Sequence, residues 1–355
     1  MSEMLGLIED TAGKIMSDLC AKDLVDEAEQ GSWPETLWQT LEESRLTVAV
    51  VPEDQGGGGG SLEDGMAVLA QAGRHAAPLP LAETLLAGWA LAGSGCGVPS
   101  GPLTLAPIHP NESLAIEKKS NGSWVLSGTA RRVPWAARAA RIVVLASHGE
   151  TLMVTCVEPG ACAITPGKNL AGEPRDDVLF DAVELPDGSV SAAGDGIDAA
   201  ALRRLGALTR SVLMAGALET VLQLSIEHAR VRVQFGRPIG SFQAIRQNLA
   251  VFAGQVAAAN KAAEVAVRAL EAGDARIEIA AAKARAGEAA GKGAEIGHQT
   301  HGAMGVTHEH ALHQYTRRLW SWRDEFGPEM EWQAEIGRAV AQRGPENLWA
   351  FITNT

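Results

Sequence analysis

The stretch Arg232-Val-Gln-Phe-Gly-Arg-Pro-Ile-Gly-Ser-Phe-Gln243 decides the fold, because it separates two long helical segments. Gly236 suits the position just after a helix end, and Pro238 prevents the helix from continuing. Ser241 can cap the helix that follows. The sequence therefore predicts that Arg232 and Phe235 emerge together on the last turn of a helix.

Around this stretch the sequence changes character twice. Residues 1–100 carry the apolar periodicity of helices, whereas residues 101–194 contain short apolar runs broken by turn signals such as Asn121-Gly122. From residue 195 to residue 355, long segments rich in Ala and Leu again favour helices. These changes predict an N-terminal helical domain (1–100), a central antiparallel β domain (101–194) and a C-terminal helical domain (195–355).

The composition limits the possible partners and compartments. The net charge of -13 and the pI near 5.2 disfavour nucleic acid or an anionic membrane as the main partner. The four cysteines have no metal-type spacing and are too few for a disulfide scaffold, which favours a reducing compartment. The sequence has no uninterrupted apolar run of 18 residues and no basic segment at its N-terminus. We therefore expect a cytoplasmic protein that is neither secreted nor inserted in a membrane.

Two conspicuous patterns are not interpreted as sites. The glycine run 56–60 follows an apolar segment, but no frame of it fits G-x-G-x-x-G and no βαβ alternation follows, so we expect a flexible loop between helices. Five of the nine histidines fall within 16 residues: His298, His301, His308, His310 and His313. Because tight metal sites need fixed geometry and usually helical i, i+4 or Cys partners, no metal is predicted.

The Arg232–Gln243 stretch and the later segment Gln299-Thr-His-Gly-Ala-Met-Gly305 resemble the flavin-binding segments of the acyl-CoA dehydrogenase family. The order helical, β, helical is also that of the family, and weaker signatures at 51–57, 125–129 and 170–174 extend the resemblance over nearly the whole chain. The resemblance implies an α+β fold that is mostly α, with an N-terminal helical domain, a central antiparallel β domain and a C-terminal four-helix bundle.

The resemblance also implies FAD as cofactor. Arg232, Phe235 and Gln243 match residues that reach across a dimer interface to FAD bound mainly by the neighbouring subunit: Arg meets the pyrophosphate, Phe packs on the cofactor, and Gln hydrogen-bonds to it. The matches in the second segment, Gln299, Gly302 and Gly305, belong to the loop that receives the adenine half, where small residues permit close backbone approach. Taken alone, the residues leave another interpretation open, in which Arg232 offsets a helix dipole and Phe235 is core.

The chain departs from the family where the chemistry takes place. Dehydrogenation needs a carboxylate to remove the α-proton while the β-hydrogen leaves as hydride to the flavin. The usual base position holds Phe326, in Asp324-Glu325-Phe326-Gly327, and the alternative position, just before Arg210, holds Thr209. The sequence therefore lacks a carboxylate at both usual base positions.

The flavin-ring half of the family's site is also altered. In other family members a Trp-Ile-Thr segment packs on the flavin ring, and in this chain the aligned stretch is Arg132-Val-Pro-Trp135. Where the family has its T-E-P-x-A-G signature, this chain has residues 103–110, which do not match it. Glu158-Pro-Gly-Ala161 resembles that signature but lies after the strands that should follow it. We therefore expect the adenine side of the site to be intact and the ring side to be lost.

Within the family, Arg317–Gly327 most resembles subunits of the heteromeric dehydrogenases of bacterial steroid side-chain catabolism, in which unlike homologous chains form an α2β2 tetramer. The resemblance implies an acyl-CoA substrate, a homologous partner that holds the flavin ring and supplies the base, and electron-transfer flavoprotein as acceptor. Two alternatives stay open. In one, Glu325 or Asp324 acts as base in a complete enzyme; in the other, the chain is a non-enzymatic scaffold.

Overall fold

The computed structural model describes residues 3–109 and 111–353, so Pro110, the last residue of the 103–110 segment, lies outside it. The chain divides into two compact units. One comprises Met1–Val68 and Pro78–Gly206, and the other comprises Leu69–Ala77 and Ala207–Thr355. The division into three domains, at residues 100 and 194, stays a prediction.

The N-terminal part is helical, as the sequence predicts: α1 (Glu3–Leu19), α2 (Lys22–Glu29), α3 (Glu35–Glu43), α4 (Leu62–Arg74) and α5 (Leu81–Gly93). The glycine run lies between α3 and α4, where the N–H groups of Gly57 to Gly60 donate to backbone carbonyls of residues 48–52. It is therefore a hydrogen-bonded loop that does not follow a strand, which excludes a dinucleotide-binding βα turn.

The central part of the first unit is one sheet of β1 (Leu103–Ala106), β2 (Ala115–Lys118), β3 (Trp124–Pro134), β4 (Arg141–His148), β5 (Thr151–Val157), β6 (Ala163–Thr165), β7 (Arg175–Leu185) and β8 (Val190–Ala192). The strand order is β6-β7-β3-β2-β4-β5-β8, with β1 also paired to β4. The sheet differs from the expected antiparallel arrangement in being mixed, because β1 and β2 both run parallel to β4, with Leu103 opposite Arg141 and Ala115 opposite Ser147. Leu126, Val144 and Phe180 lie in its buried core.

The second unit contains most of α6 (Ala199–Val231), then α7 (Gln243–Ala272), α8 (Arg276–His301), α9 (Leu312–Asp324), α10 (Glu329–Arg343) and α11 (Leu348–Thr353). A short hairpin of β9 (Val233–Gln234) and β10 (Arg237–Pro238) joins α6 to α7. With 58 % helix and a central mixed sheet, the predicted fold class, α+β and mostly α, is confirmed.

Two features of this unit follow from small and apolar residues. A Cβ on Gly293 of α8 would lie 2.5 Å from the ring of Phe252 on α7, so the close packing of these two helices requires glycine there. Helix α6 is long and apolar enough to cross a membrane, but 78 % of its most apolar window is buried inside the protein, as in a core helix.

Candidate functional site

The Arg232–Gln243 stretch forms a hairpin that the sequence did not predict. Helix α6 ends at Val231, and the N–H of Arg232 donates to the carbonyl of His228 (2.9 Å). Phe235 (φ 54°) and Gly236 (φ 77°) form the two-residue turn between β9 and β10, where positive φ at both positions matches the strand twist. Phe235 thus lies at a hairpin tip, and its prediction on the last turn of a helix is wrong.

The hairpin is exposed on both faces. Phe235 is 92 % exposed, and Val231 and Val233 are 76 % and 53 % exposed. The interpretation of Phe235 as a core residue is therefore wrong. Its ring makes an edge contact with Phe242 at 6.1 Å between centroids. A row of exposed apolar side chains beside an exposed Arg232 is typical of a surface that another molecule covers.

Gln243 is the first residue of α7 and is exposed. The helix is preceded by Phe242 without a side-chain cap, so the predicted capping role of Ser241 is wrong. Gln255 contacts Arg285 and Phe252 packs against Gly293, so α7 and α8 run antiparallel. This register places Gln243 and the exposed Gln299 of α8 at the same end of the helix pair.

The two glycines of the segment Gln299–Gly305 lie in different environments. Gly302 follows α8 at φ 61°, is exposed, and has open space where a Cβ would stand. Gly305 is buried, and a Cβ there would lie 2.8 Å from Leu312 and 2.9 Å from His301. The backbone at Gly302 is therefore free to approach a ligand, whereas packing alone already requires Gly305.

A stack of histidines connects the hairpin to this loop. His228 lies in the last turn of α6 and His301 ends α8, and their ring centroids are 4.5 Å apart. On its other side His301 contacts His310, at 4.7 Å. The stack therefore brings the two predicted cofactor segments together in one unit. Burial lowers the pKa of all three imidazoles.

The loop at the usual base position is held by a buried ion pair. Glu325 follows the end of α9, and its Oε2 accepts from Nε of Arg210 on α6 at 2.6 Å. The two side chains are only 9 % and 2 % exposed. The Arg210 guanidinium also lies 5.5 Å from the ring centroid of Phe326, which has a positive φ of 57°. Arg323, although it is close to Glu325 in sequence, pairs with Glu329 instead.

Lys283 of α8 fixes the same loop, and sequence reasoning missed it. Its Nζ donates to the carbonyls of Arg323 (2.6 Å) and Gly327 (2.8 Å). Burial lowers the pKa of Lys283 to about 8, although Glu329 and Glu325 oppose the shift. The indole N–H of Trp332 donates to the carbonyls of Phe326 and Gly327 at 3.1 and 3.2 Å. The only hint in the sequence was a lysine within an Ala-rich helix.

The remaining acid candidates are poorly placed for proton abstraction. Asp324 is exposed at the end of α9. Thr209, at the alternative base position, is fully buried in α6 and has no acidic group. Of Asp324 and Glu325, only Glu325 is turned inward, and Arg210 already binds its carboxylate.

The segments at the ring side are part of the packed first unit. Val133 is fully buried, and Trp135 packs edge-on against Trp33 with centroids 6.2 Å apart. Residues 103–106 form the buried strand β1. Glu158 makes a surface ion pair with Arg141 at 2.9 Å. Each of these residues therefore has a structural role in this unit.

Among residues 3–109 and 111–353, no group of three or more His, Cys, Asp or Glu side chains has the geometry of a metal site. Two histidines near the end of α8 make contacts with protein groups instead. Nδ1 of His301 contacts the carbonyl of Gly297 (2.8 Å), and Nε2 of His298 contacts the hydroxyl of Thr316 (2.9 Å).

Comparison with known proteins identifies the family. Residues 195–329 match the model of the acyl-CoA dehydrogenase C-terminal domain. Acyl-CoA dehydrogenase IpdE2 of Mycobacterium tuberculosis is 31 % identical over 298 residues, which cover 82 % of each chain. The chain therefore belongs to the acyl-CoA dehydrogenase family, a family of oxidoreductases whose cofactor is FAD.

Solved structures agree with this assignment. The crystal structure of the ChsE4-ChsE5 complex from Mycobacterium tuberculosis is 25 % identical, with a TM-score of 0.86 over 96 % of this chain and 98 % of that one. A variant of the Tcur3481-Tcur3483 steroid acyl-CoA dehydrogenase is 25 % identical, with a TM-score of 0.84 and the same coverage. The resemblance to the heteromeric steroid dehydrogenases and the expectation of FAD are confirmed at the level of the family.

Proposed function

We propose that this chain is the subunit of a heteromeric, FAD-dependent acyl-CoA dehydrogenase that completes the cofactor site of a homologous partner without supplying the catalytic base. The observation that carries the proposal is the Arg210–Glu325 ion pair beside Phe326. Where an active member needs a free carboxylate, this chain has a phenylalanine, and the adjacent carboxylate is occupied by arginine.

The residues of the second unit fit the adenine and phosphate half of FAD. Arg232 is an exposed cation at the base of the hairpin, and a guanidinium suits a pyrophosphate. Phe235 offers an uncovered aromatic face, and Gln243 and Gln299 offer amides at one end of the α7–α8 pair. When bound, FAD supplies the acceptor for the β-hydride.

In this arrangement the chain's own residues bind and orient the cofactor. Arg232 balances phosphate charge, Phe235 excludes water from one side, and the open turn at Gly302 permits close backbone approach. The partner holds the flavin ring and provides the base. Proton removal from the substrate therefore takes place on the partner side of the composite site.

The similar complexes support the choice of substrate and assembly. One is the complex of ChsE4 with ChsE5, and the other is the Tcur3481-Tcur3483 steroid acyl-CoA dehydrogenase. We infer an α2β2 assembly that acts in the cytoplasm on an acyl-CoA thioester of a steroid side chain and passes electrons to an electron-transfer flavoprotein. A pair of unlike chains with one base would use only one of its two acyl sites. The loss of the other site would leave room for a bulky acyl group.

The flavin content of the purified protein tests the proposal. We expect little FAD in the chain expressed alone and about one FAD per two chains after co-expression with its homologous partner, as one composite site per unlike pair requires. Flavin absorbance combined with a protein assay measures the ratio. Full occupancy of the isolated chain would favour a complete enzyme with Glu325 or Asp324 as base, and a flavin-free complex would favour the scaffold.

A further inference from the structure

The histidine stack occupies the junction between the two proposed cofactor segments. His228 lies four residues, or about one helical turn, before Arg232. Gly302 directly follows His301. The rings of His228, His301 and His310 follow one another at 4.5 and 4.7 Å. Any anion bound between Arg232 and the Gly302 turn would therefore lie near this stack.

The charged neighbours that lower the pKa values in the stack are cationic. They are Arg232, which directly follows α6 and acts on His228, and His313 on α9, which acts on His310, in addition to the imidazoles of the stack themselves. Glu227 and Glu309 are the nearest carboxylates along the chain, and both side chains are exposed. A bound anion would reverse this balance, because an opposite charge favours the protonated imidazole.

The hydrogen bonds of His301 leave one of its ring nitrogens able to gain a proton. Its Nδ1 faces the Gly297 carbonyl at 2.8 Å, so Nδ1 donates and Nε2 carries the lone pair of the neutral ring. This Nε2 is buried and has no hydrogen-bond partner among the described residues. The backbone of Leu224, like that of Gly297, favours the protonated ring, although it makes no hydrogen bond with Nε2.

His310 is held in the opposite state. The backbone N–H of Leu312 donates to Nδ1 of His310 at 3.0 Å, so this nitrogen must keep its lone pair. His310 therefore remains neutral while it packs against one face of His301. His228 lies on the other side of the ring, so the buried imidazole of His301 stands between two half-buried ones, and its Nε2 is a position that can take a proton.

We propose that His301 is a proton-linked positioning residue for the cofactor, which takes a proton from solvent onto Nε2 when the phosphates of FAD bind beside Arg232 and the Gly302 turn. The inference rests on the proposed function. The imidazolium adds a positive charge behind the turn, and the stacked neighbours keep its orientation. By linkage, the affinity for FAD rises as the pH falls through the pKa of His301 in the bound state.

The test measures binding, not turnover. FAD is titrated calorimetrically into the flavin-depleted complex at pH 6, 7 and 8, in buffers of different ionisation enthalpy, which gives the affinity and the number of protons taken up. We expect up to about one proton per FAD and an affinity about three- to tenfold higher at pH 6 than at pH 8. His301→Asn keeps a donor for the Gly297 carbonyl but cannot be protonated, so its proton uptake should fall close to zero.

His308→Asn is the matched control, because His308 is an exposed histidine of the same loop outside the stack, and its proton uptake should equal that of the wild type. If His301→Asn fails to assemble, His228→Gln is used to remove a neighbour of His301. The number of protons that the wild-type complex takes up on binding FAD then still decides whether binding is linked to protonation. Normal FAD binding without proton uptake, or equal uptake in His301→Asn, overturns this inference and leaves the proposed function intact. Absence of FAD binding at every pH overturns both.

Discussion

Removal of Glu325 should destabilise the second unit far more than a surface substitution would. In Glu325→Ala the guanidinium of Arg210, whose side chain is 2 % exposed, loses the carboxylate at 2.6 Å. Breaking a buried ion pair by removing one partner costs about 3–5 kcal/mol, because a buried charge is left uncompensated. At about 2–4 °C per kcal/mol for a unit of this size, we expect the melting temperature to fall by about 6 °C or more.

Thermal unfolding followed by circular dichroism measures this effect, with Asp324→Ala as control. Asp324 is exposed at the neighbouring position, so its replacement should shift the transition by at most about 2 °C. Replacing both partners, in Arg210→Met with Glu325→Ala, should recover much of the loss because no buried charge remains. A shift in Glu325→Ala as small as that of the control would refute the assignment of a buried structural ion pair.

Two further predictions concern charge in the second unit. The pKa of Lys283 in the folded protein, about 8, lies below its ordinary value of 10.5, so folding disfavours the ammonium form. The contribution of Lys283 to the free energy of unfolding should therefore be lowest below pH 8 and rise by up to about 3 kcal/mol towards pH 10.5. Denaturation at pH 8 and 10 should show this gain in the wild type but not in Lys283→Met, and an equal gain in both would contradict the assignment. Arg232→Ala in the complex should weaken FAD binding by about one to two orders of magnitude, with activity restored by saturating FAD and Arg232→Lys intermediate. Unchanged flavin affinity in Arg232→Ala would instead support a simple helix-dipole role.

The fold was largely predictable because its signals are local. Helices α6, α7 and α8 carry long apolar patterns, and the β region is marked by short apolar runs and turn residues. The parallel pairing of β1 with β4 was not predictable in this way, since it joins strands separated by two others in the sequence. Pairing partners depend on tertiary packing and not on the composition of a single strand.

The sequence nominates residues for the candidate site, which stay predictions, but it does not give their geometry. The motif identified Arg232, Phe235 and Gln243, yet Gly236 and Pro238 suit a helix end and a hairpin equally well. The partner of Glu325 was missed because Arg210 lies 115 residues away, whereas Arg323 is near in sequence. Contacts of this kind become apparent only when the helices are packed.

The turnover of an assembled complex in which this chain carries Asp324→Asn and Glu325→Gln tests the central claim most directly. A glutamine at position 325 can still accept a hydrogen bond from Arg210, so the loop keeps its partner while both carboxylates near Phe326 are removed. We predict turnover within a few-fold of the unmodified complex, with FAD content and assembly unchanged. A loss of about three orders of magnitude or more, with FAD and assembly intact, would show that the catalytic base lies on this chain.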